Sequence, residues 1–366
     1  MTKYLFGDLV KEVKNKVDRD NNPYEFFIAG DHMDTDELHL LRRGVFAGND
    51  VGPAFIRIFK PGQVLYGSRR TYLRKVAVAD FEGVTANTTF VLESKDETIL
   101  LQRLLPFIMQ SDRFVQHSIK RSKGSTNPYV LFSDLADYEI ELPNIDKQRE
   151  LADLLWAMDD VRMSYKKLIV ATDELVKSQF IEMFASTPKG KLEDVAVITM
   201  GQSPSGKSYN ENGEGTPFYQ GKTEFRDLYI GDAITWTTEP SRFAEANDVL
   251  MSVRAPVGST NIATQTCCLG RGLAGIRPIA GKSTTLFILY SMRSIEEEID
   301  KMGVGSTFKA INKKQVHELP IPLADLQQQD RFVELAEQSD KSKFELEQAL
   351  AELAATYKRI IAENLG

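Results

Sequence analysis

Apolar residues follow two different patterns along this chain of 366 residues. In the blocks 1–143 and 189–320 they form short β-prone stretches bounded by Gly, Pro or Asn, and such stretches predict strands. The stretches concerned are 54–59, 75–79, 89–92 and 272–277. Segments 98–116 and 284–302 predict short helices. Each of these two blocks is therefore predicted to be a globular α+β domain.

The segment 144–188 has its apolar residues spaced alternately by three and four, which is typical of an α-helix with a coiled-coil seam. Asn144 or Asp146 is placed to cap its start, and Pro188 ends it. Such a helix spans roughly 60 Å, too long for one small domain to surround. Thr172 is the polar exception in the seam. The predicted packing residues are Leu151, Leu154, Met158, Val161, Tyr165, Leu168 and Leu175.

A second long helix is predicted in 321–366, where Ser339, Ser342 and Lys343 interrupt the apolar face. Two interpretations of the pair are open. Each helix packs on its own globular block, or the two pack antiparallel on each other as a coiled coil, with the blocks at opposite ends of a rod. The second is favoured because each helix is too long for its block and their lengths are similar. The predicted packing residues of the second helix are Phe332, Leu335, Leu346, Leu350, Leu353, Tyr357 and Ile360.

The chain has the pattern of one unit written twice. Four landmarks occur in the same order in both halves, with offsets that fall from 191 through 185 and 181 to 177. The matched pairs are 27–30 with 218–221, 63–69 with 248–254, 124–126 with 305–307, and 141–143 with 318–320. We therefore predict an internal duplication, each copy consisting of a globular block followed by a long helix.

Charge and cysteine content exclude several classes of protein. The chain carries 45 Lys and Arg against 52 Asp and Glu, a net charge of −7, and most of the excess acid lies in 144–188 and 321–366. The globular blocks are near neutral and remain able to present a basic face. Adjacent Cys267 and Cys268 offer neither a disulfide framework nor a metal-binding spacing, and no stretch approaches 18 apolar residues. These features predict a soluble cytoplasmic protein.

Motifs for catalysis are sparse. The sequence lacks a Gly-x-Gly-x-x-Gly cofactor loop, a phosphate-binding loop and a Gly-x-Ser-x-Gly elbow. Asp80, Glu93 and Lys95 match a pattern of metal-dependent nucleases, but this pattern is common by chance and has no counterpart in the second copy. Asn-Pro-Tyr at 22–24 and 127–129 lacks the first proline of the Asn-Pro-Pro-Tyr loop with which amino-methyltransferases bind a flipped base. We predict no catalytic residue and no metal ligand.

The remaining chemistry is that of a binding surface. Loops of Gly, Ser, Lys and Arg suit contact with phosphates, and Arg and Lys also bind guanine edges. Arg69 and Arg254 occupy matching positions in the two copies. The predicted DNA-binding residues of the first block are Arg69, Arg70, Tyr72, Arg74, Lys120, Arg121, Lys123, Ser125 and Thr126. Those of the second block are Ser203, Ser205, Lys207, Tyr209, Lys222, Arg254, Arg271, Ser306, Thr307 and Lys309.

Segments 201–206, 248–258, 305–311 and 319–329 resemble the specificity subunit of type I restriction-modification systems. The resemblance covers the whole chain, because that family alternates two target-recognition domains with two long helical conserved regions. The first block departs from the pattern, since it lacks the opening Gly-Gln-Ser-Pro-Ser-Gly loop. The resemblance implies target-recognition domains at 1–143 and 189–320, and helical spacers at 144–188 and 321–366.

The resemblance also implies a function. In that family the subunit is not catalytic, each recognition domain binds one half of a bipartite, asymmetric DNA site, and the helices dock two methyltransferase subunits. Restriction subunits then join the complex. We expect no cofactor on this chain, with S-adenosylmethionine, ATP and Mg²⁺ on the partner subunits, and no membrane partner. Two other interpretations remain, a stand-alone DNA enzyme and a protein-interaction adaptor that does not bind DNA.

Overall fold

The computed structural model describes residues 2–47, 51–303 and 309–365. The chain divides into two compact units. Unit 1 consists of Met1–Lys166 and Gln348–Gly366, and unit 2 consists of Lys167–Glu347. Each unit therefore contains one of the two globular blocks together with part of each long helix.

In its described residues, unit 1 forms ten strands arranged in three sheets. The strands are β1 (Thr2–Leu5), β2 (Val10–Glu12), β3 (Phe26–Ile28), β4 (Gly44–Val45), β5 (Phe55–Phe59), β6 (Val64–Gly67), β7 (Val76–Val78), β8 (Gly83–Ala86), β9 (Thr89–Ser94) and β10 (Glu139–Leu142). The sheet orders are β2-β9-β6-β7, β4-β3-β8-β5 and β1-β10. Strands β3 and β8 run parallel, with Phe27 opposite Val84. The other neighbours in these described sheets are antiparallel.

The described part of unit 2 forms eleven strands, again in three sheets. They are β11 (Lys189–Lys191), β12 (Ala196–Met200), β13 (Tyr209–Asn210), β14 (Thr216–Tyr219), β15 (Thr235–Thr237), β16 (Phe243–Ala244), β17 (Val249–Ser252), β18 (Thr260–Ile262), β19 (Cys267–Leu269), β20 (Leu273–Pro278) and β21 (Pro320–Pro322). The sheet orders are β12-β20-β17-β18, β13-β15-β14-β19-β16 and β11-β21. Strands β14 and β19 run parallel.

Helices connect and cover these sheets. They are α1 (Phe6–Leu9), α2 (Leu105–Gln110), α3 (Asp112–Arg121), α4 (Phe132–Ala136), α5 (Ile145–Phe184), α6 (Leu192–Val195), α7 (Thr285–Ser294), α8 (Glu296–Met302), α9 (Lys313–His317) and α10 (Leu326–Leu365). The predicted α+β class is confirmed. The helix predicted over 98–116 is instead divided at Ser111, because the Ser111 hydroxyl accepts from the Phe114 N–H at 3.3 Å and caps α3. None of the helices in the described ranges is both long and apolar enough to cross a membrane.

The strand orders confirm the predicted duplication. The order β2-β9-β6-β7 in unit 1 corresponds to β12-β20-β17-β18 in unit 2, and the parallel pair β3-β8 corresponds to β14-β19. Two isolated antiparallel bridges also match: Arg69 pairs with Tyr129, and Arg254 pairs with Ala310. The same connections thus recur along the chain with the offsets that the sequence landmarks gave.

Each unit buries its own apolar core. In unit 1, Phe107 of α2 and Phe114 of α3 lie in one cluster with Leu92 of β9, and Leu155 of α5 and Ile361 of α10 belong to the same cluster. Burial of this apolar area is the main favourable term in folding. The two long helices therefore contribute to the core of unit 1.

In unit 2 the corresponding core includes a cluster of phenylalanine rings. The rings of Phe180 on α5 and Phe332 on α10 have centroids 5.0 Å apart, and the Phe184 ring lies 5.0 Å from that of Phe287 on α7. All four side chains are buried. Edge-on and tilted ring pairs at these distances add to the stabilisation that burial provides.

Four of the seven predicted packing positions of α5 are wrong. Leu154, Val161, Leu168 and Leu175 are 46%, 41%, 50% and 54% exposed, whereas Leu151 is buried and Met158 and Tyr165 are partly buried. The buried positions lie mainly one residue further along the helix: Ala152, Leu155, Asp159, Val176, Phe180 and Phe184. One residue rotates the inward face by about 100°. The buried face of α5 is therefore not its most apolar face. It includes polar residues whose partners lie in the globular block.

The inward face of α10 follows the predicted positions more closely. Phe332 is buried, and the other six predicted packing residues are partly buried. Lys343, which interrupts the apolar pattern, is itself buried, with 5% of its surface exposed. The polar interruption is therefore part of the packed face.

A buried glutamine begins the inward face of each long helix. The Gln148 side chain donates to the carbonyls of Ile99 (2.8 Å) and Pro143 (3.0 Å) and accepts from the Leu101 N–H (3.1 Å). Asn144, one of the two predicted caps, accepts from the N–H of Lys147 at 2.9 Å. The Gln148 side chain thus joins the start of α5 to backbone groups of the globular block through three hydrogen bonds.

Gln329 repeats this arrangement in unit 2. Its side chain donates to the carbonyls of Lys282 (2.9 Å) and Ala324 (3.0 Å) and accepts from the Thr284 N–H at 3.1 Å. Gln148 and Gln329 are separated by the 181-residue offset of the duplication and are both 1% exposed.

Candidate nucleic-acid interface

Loops of unit 2 enclose an open cleft of about 440 Å³ at the end of β17. The Val253 N–H donates to the Gly272 carbonyl at 2.9 Å, and the Gly270 N–H donates to the Tyr219 carbonyl at 2.8 Å, so these loops lie close together. A Cβ atom on Gly272 would lie 2.3 Å from the Gln220 carbonyl oxygen. Only glycine permits that approach, which brings 220–222 against 270–272.

Three cations line this cleft. Lys222, Arg254 and Arg271 are exposed, and within the described ranges no acidic side chain pairs with any of them. Ser203 lies beside them, its hydroxyl accepting from the Arg271 N–H at 3.2 Å. A concave site with unpaired guanidinium and ammonium groups suits an anionic ligand such as a phosphate backbone. The structure thus brings together five of the ten predicted residues of the second block, these four and Tyr209.

Tyr209 lines the cleft but is already engaged. Its hydroxyl donates to the Pro204 carbonyl at 3.0 Å, and its ring lies 4.8 Å from that of Phe218. Ser205 and Lys207 are exposed on the adjoining turn. These contacts indicate that Tyr209 shapes the loop.

The rest of the second predicted set is distributed elsewhere. Lys309 forms an ion pair with Asp300 at 3.1 Å, so its charge is compensated. Ser306 and Thr307 lie outside the described residues. The role of these three residues stays a prediction.

In unit 1 the predicted residues surround a short backbone ladder. The Arg70 N–H donates to the Pro128 carbonyl at 2.7 Å, and Lys123 and Tyr129 exchange hydrogen bonds of 2.8 and 3.0 Å. Arg69, Arg70 and Tyr72 are exposed around this ladder, as are Ser125 and Thr126 in the following turn. The Arg70 side chain donates to Asn127 Oδ1 at 3.3 Å, and Lys123 forms an ion pair with Asp134 at 2.7 Å.

Arg74 and Arg121 of the first predicted set are occupied by acidic partners. Arg74 donates to Asp36 at 2.6 Å and to Asp112 at 2.7 Å and is half-buried. Arg121 forms an ion pair with Asp137. Lys120 is exposed beside Arg121 in a depression of α3 that does not include the ladder. The structure therefore does not gather these three cations with Arg69.

The family comparison decides what this architecture represents. The family model described as "Type I restriction modification DNA specificity domain" matches residues 55–170 and 188–354, one match in each copy of the duplication. Together these stretches cover more than half of the chain. The chain belongs to this family.

Individual members support the assignment. A putative type I restriction enzyme specificity subunit (MjaX) from Methanocaldococcus jannaschii is 32% identical over 285 residues, which cover 70% of this chain and 66% of that protein. A type I specificity subunit (HindI) from Haemophilus influenzae is 22% identical over 43% of this chain and 35% of its own length. The chain thus matches just under two thirds of the first relative and about a third of the second.

Solved structures agree on the fold. A chain from a structural study of "complex assembly and conformational transition of the type I R-M system" is 26% identical with a TM-score of 0.66, covering 100% of this chain and 97% of that one. The S subunit of a type I system from M. genitalium gives a TM-score of 0.59 at 15% identity, covering 100% and 95%, and shows the fold alone.

Each matched specificity domain contains residues that sequence reasoning missed. In the first, Tyr129 is 41% exposed and pairs with Arg69, and in the second, Gln220 and Ser252 line the cleft. The sequence offers no direct signal for Tyr129, because its repeat counterpart Ala310 is identified as the partner of Arg254 only by the bridge in the structure. Gln220 and Ser252 carry no such signal, because their place depends on how distant loops meet.

The alternative nuclease site does not assemble within the first specificity domain. Glu93 accepts from Gln63 at 2.6 Å and pairs with Lys11 at 3.0 Å, and the Gln63 hydrogen bond and Lys11 together hold the pKa of Glu93 below its usual range. Lys95 donates instead to the Gly7 carbonyl. At 22–24 the Tyr24 N–H donates to Asn22 Oδ1 at 3.0 Å, an ordinary side-chain turn.

One acidic cluster in unit 1 has metal-like spacing. Ligand-type atoms of Glu37, His39 and Asp159 lie within 4.8 Å of one another. The Arg162 guanidinium lies 2.6 Å from Asp159 Oδ1 and 3.0 Å from Glu37 Oε1. Lys166 lies 2.7 Å from Glu37 Oε2, and His39 lies 2.7 Å from Asp159 Oδ2. Because Arg162, Lys166 and His39 already form ion pairs with these carboxylates, we describe this cluster as an ion-pair network, although Asp159 Oδ1 accepts no well-directed hydrogen bond among the described residues.

Proposed function

We propose that this chain directs DNA methylation and restriction by binding a bipartite, asymmetric DNA target, one part through each unit, without catalysing either reaction. The observation that carries the proposal is the cleft of unit 2, where Lys222, Arg254 and Arg271 stand exposed beside a serine hydroxyl with no acidic partner among the described residues. Family membership supports the same function.

The chemistry of the cleft suits two kinds of DNA contact. Lysine and serine donate to phosphate oxygens, which fixes position, whereas arginine binds the O6 and N7 edge of guanine with two hydrogen bonds, which discriminates between bases. In unit 1 Arg69 and Arg70 are exposed, and we infer that they supply the second set of contacts. The surfaces of the two units differ, so the two parts of the target should differ.

Affinity of the isolated chain should be modest. The globular blocks are near neutral and the chain as a whole has a net charge of −7, so long-range attraction to the phosphate backbone is small. We expect weak, salt-sensitive binding by the chain alone and tight binding in complex with methyltransferase subunits. S-adenosylmethionine, ATP and Mg²⁺ would be bound by those subunits and by the restriction subunits.

We further propose that α5 and α10 form an antiparallel coiled coil that sets the distance between the two DNA contacts and docks the methyltransferase subunits. Each helix is 40 residues long, and both contribute to the core of each unit. The exposed Leu154, Val161, Leu168 and Leu175 recur every seven residues, so they lie on one side of α5. An apolar row of this kind suits a partner helix.

The test of DNA recognition is methylation mapping in cells that carry this chain with its methyltransferase partner. Arg254→Ala and Arg271→Ala should each relax one half of the methylated motif and leave the other half unchanged. A lost pair of hydrogen bonds to guanine lowers discrimination by about 10- to 100-fold. Lys189→Ala is the matched control, because Lys189 is an exposed cation that does not line the cleft. An unchanged motif in both arginine variants would overturn the proposal.

The test of the spacer is a change in helix length. Seven residues inserted at matched positions of α5 and α10 lengthen both by about 10 Å. Methylation mapping should then show the same two half-sites with a wider gap. The same gap in a complex that still assembles would remove the spacer role and leave DNA recognition untouched.

A further inference from the structure

Lys343 is a buried lysine in the middle of α10. Its side chain is 7% exposed, and its ammonium group lies 2.8 Å from a carboxylate oxygen of Asp173 on α5 and 2.8 Å from Asp227 Oδ2. Lysine is almost never buried without such partners. The two ion pairs outweigh the effect of burial and raise the pKa of Lys343, so it stays charged.

Asp227 ends a loop whose other end reaches the cleft. The loop runs from Lys222, which lines the cleft beside Arg254 and Arg271. The Phe225 N–H donates to the Lys222 carbonyl at 3.0 Å, which closes the loop into a compact turn. Displacement of Asp227 would therefore be transmitted to Lys222 within five residues.

Other groups support the same end of the loop. Arg293 of α7 donates to the Asp227 carbonyl, and Asn261 of β18 bonds the Arg226 backbone through an N–H contact of 3.3 Å and a carbonyl contact of 2.9 Å. The Gly231 N–H donates to the Glu224 carbonyl at 2.8 Å. Of these contacts, those of Lys343 are the ones that join the loop to the long helices.

Unit 1 repeats the arrangement with different residues. Arg162 of α5 precedes Lys343 by the helix offset of 181, and Asp36 precedes Asp227 by the loop offset of 191. The Arg162 guanidinium donates to the Asp36 carbonyl at 2.9 Å and to Glu37 at 3.0 Å. In both copies a cation on a long helix contacts the corresponding loop, although the exposed residues of the two loops differ. This repetition supports a role for the cation in holding the loop in position.

We propose that Lys343 is a positioning residue for DNA recognition: by holding Asp227 it places Lys222 in the cleft, so that the long helix and the DNA-binding loop move together. This inference rests on the proposed function, because it assumes that the cleft of unit 2 binds DNA. It assigns to the helix a direct part in recognition besides spacing and docking.

The experiment uses the full chain in complex with its methyltransferase partner and DNA that carries the mapped target. Lys343→Met retains the size of the side chain and removes the charge, and Lys343→Arg retains the charge. Lys341→Met is the matched control, since Lys341 is exposed two residues away on the same helix. Affinity should fall about tenfold for Lys343→Met and stay within twofold for the other two variants, and the salt dependence should lose about one phosphate contact.

A double-mutant cycle separates positioning from general damage. If Lys343 acts through Lys222, Lys343→Met should lower affinity in the natural chain and cause no further loss in a Lys222→Ala background. Hydrogen exchange on the free chain supplies a second readout, independent of DNA. Exchange of the Phe225 and Gly231 amides should rise about threefold to fivefold in Lys343→Met, while the Leu250 amide of β17 stays protected.

The outcomes are distinct. Unchanged exchange of the loop amides, or equal losses of affinity with and without Lys222, would overturn the positioning role. Faster exchange with unchanged affinity would also overturn it, provided that Lys222→Ala alone weakens binding. If Lys222→Ala, Arg254→Ala and Arg271→Ala all leave DNA binding unchanged, the proposed function itself fails.

Discussion

Unit 1 and unit 2 share an interior and differ at the surface. The strand orders correspond, and a glutamine at each helix start makes the same three hydrogen bonds. A cation follows 14 residues later in each helix, the partly buried Arg162 after Gln148 and the buried Lys343 after Gln329. The loops around the candidate binding surface agree less: Arg69 and Arg254 occupy matching positions, but neighbouring residues differ. Lys222 in the cleft of unit 2 corresponds to an acidic residue, Asp31, in unit 1. The residues that form the interior are therefore alike in the two copies, whereas several residues at the candidate binding surfaces differ.

The two buried ion-pair networks also differ in how far they exclude water. In unit 1 the carboxylates of Glu37 and Asp159 are 3% and 0% exposed, whereas in unit 2 those of Asp173 and Asp227 are 56% and 55% exposed. A buried acid that loses its cation has no water to replace it. The unit 1 network should therefore depend far more on its cation.

The first prediction tests this difference directly. Arg162→Met should lower the free energy of unfolding of unit 1 by about 3–5 kcal/mol, because two buried carboxylates lose a partner. Lys343→Met should cost about 1 kcal/mol or less in unit 2, because water reaches both acids. Chemical denaturation of each variant, followed by a probe in each unit, measures both values. Equal costs in the two units would contradict the proposed difference in burial.

The second prediction concerns the glutamines, where the units should behave alike. Gln148→Ala and Gln329→Ala each leave three backbone groups without their partner, and each should cost about 2–3 kcal/mol of unfolding free energy. Exposed Gln328, the neighbour of Gln329, supplies a control, and Gln328→Ala should cost no more than the loss of the one exposed hydrogen bond that its Oε1 accepts from the Asp325 N–H at 3.3 Å. A large inequality between the two buried glutamines would show that the helix starts are not equivalent.

Much of this architecture could be predicted from the sequence. Strands such as β5 and β9 lie where alternating, β-prone stretches predict them, and the duplication follows from landmarks that the structure matches. Local patterns suffice there because burial of a strand or helix depends on its own apolar residues. The cleft was predicted in part, because Ser203, Lys222, Arg254 and Arg271, which the sequence predicts to bind DNA, lie together there.

The errors share one physical cause. The α5 seam favoured Leu154 and Leu168, because an apolar stripe is the strongest local signal, yet the buried face carries Asp159. That residue is buried only because His39 and Arg162 compensate it, and His39 is distant in sequence. Burial of a polar side chain depends on partners that no local pattern reveals.

The third prediction concerns pH in unit 2. Burial and the nearby Asp227 carboxylate raise the pKa of Asp340 from 3.8 to about 6. The folded state therefore favours the protonated acid, and stability that is fully present below pH 3.8 is lost as pH rises through 6. Asp340→Asn should raise the unfolding free energy at pH 7 by about 1 kcal/mol after allowance for partial exposure, with little effect below pH 4. A uniform shift at all pH values would contradict this origin.

The fourth prediction concerns the pH dependence of stability in unit 1. The hydrogen bond to Asp159 raises the pKa of His39 above 6.5, against the effect of burial. The stabilisation is present below pH 6.5 and is lost as pH rises through the folded-state value. Because His39 is about a third exposed, His39→Gln should cost less than about 1 kcal/mol at pH 5.5 and less at pH 9. Denaturation at the two pH values measures the difference, and an equal cost at both would contradict it.

The smallest effect on stability is predicted for the exposed row of α5, where partner binding should change instead. Leu168→Ser and Leu175→Ser replace side chains that are 50% and 54% exposed, so the unfolding free energy should change by no more than about 0.5 kcal/mol. Copurification with the methyltransferase should fall at least fivefold, because the row would lose apolar contact with a partner helix. Lys167→Ser, at an exposed neighbouring position, is the control. Undiminished assembly of both leucine variants would mean that the partner contacts another face of the helices.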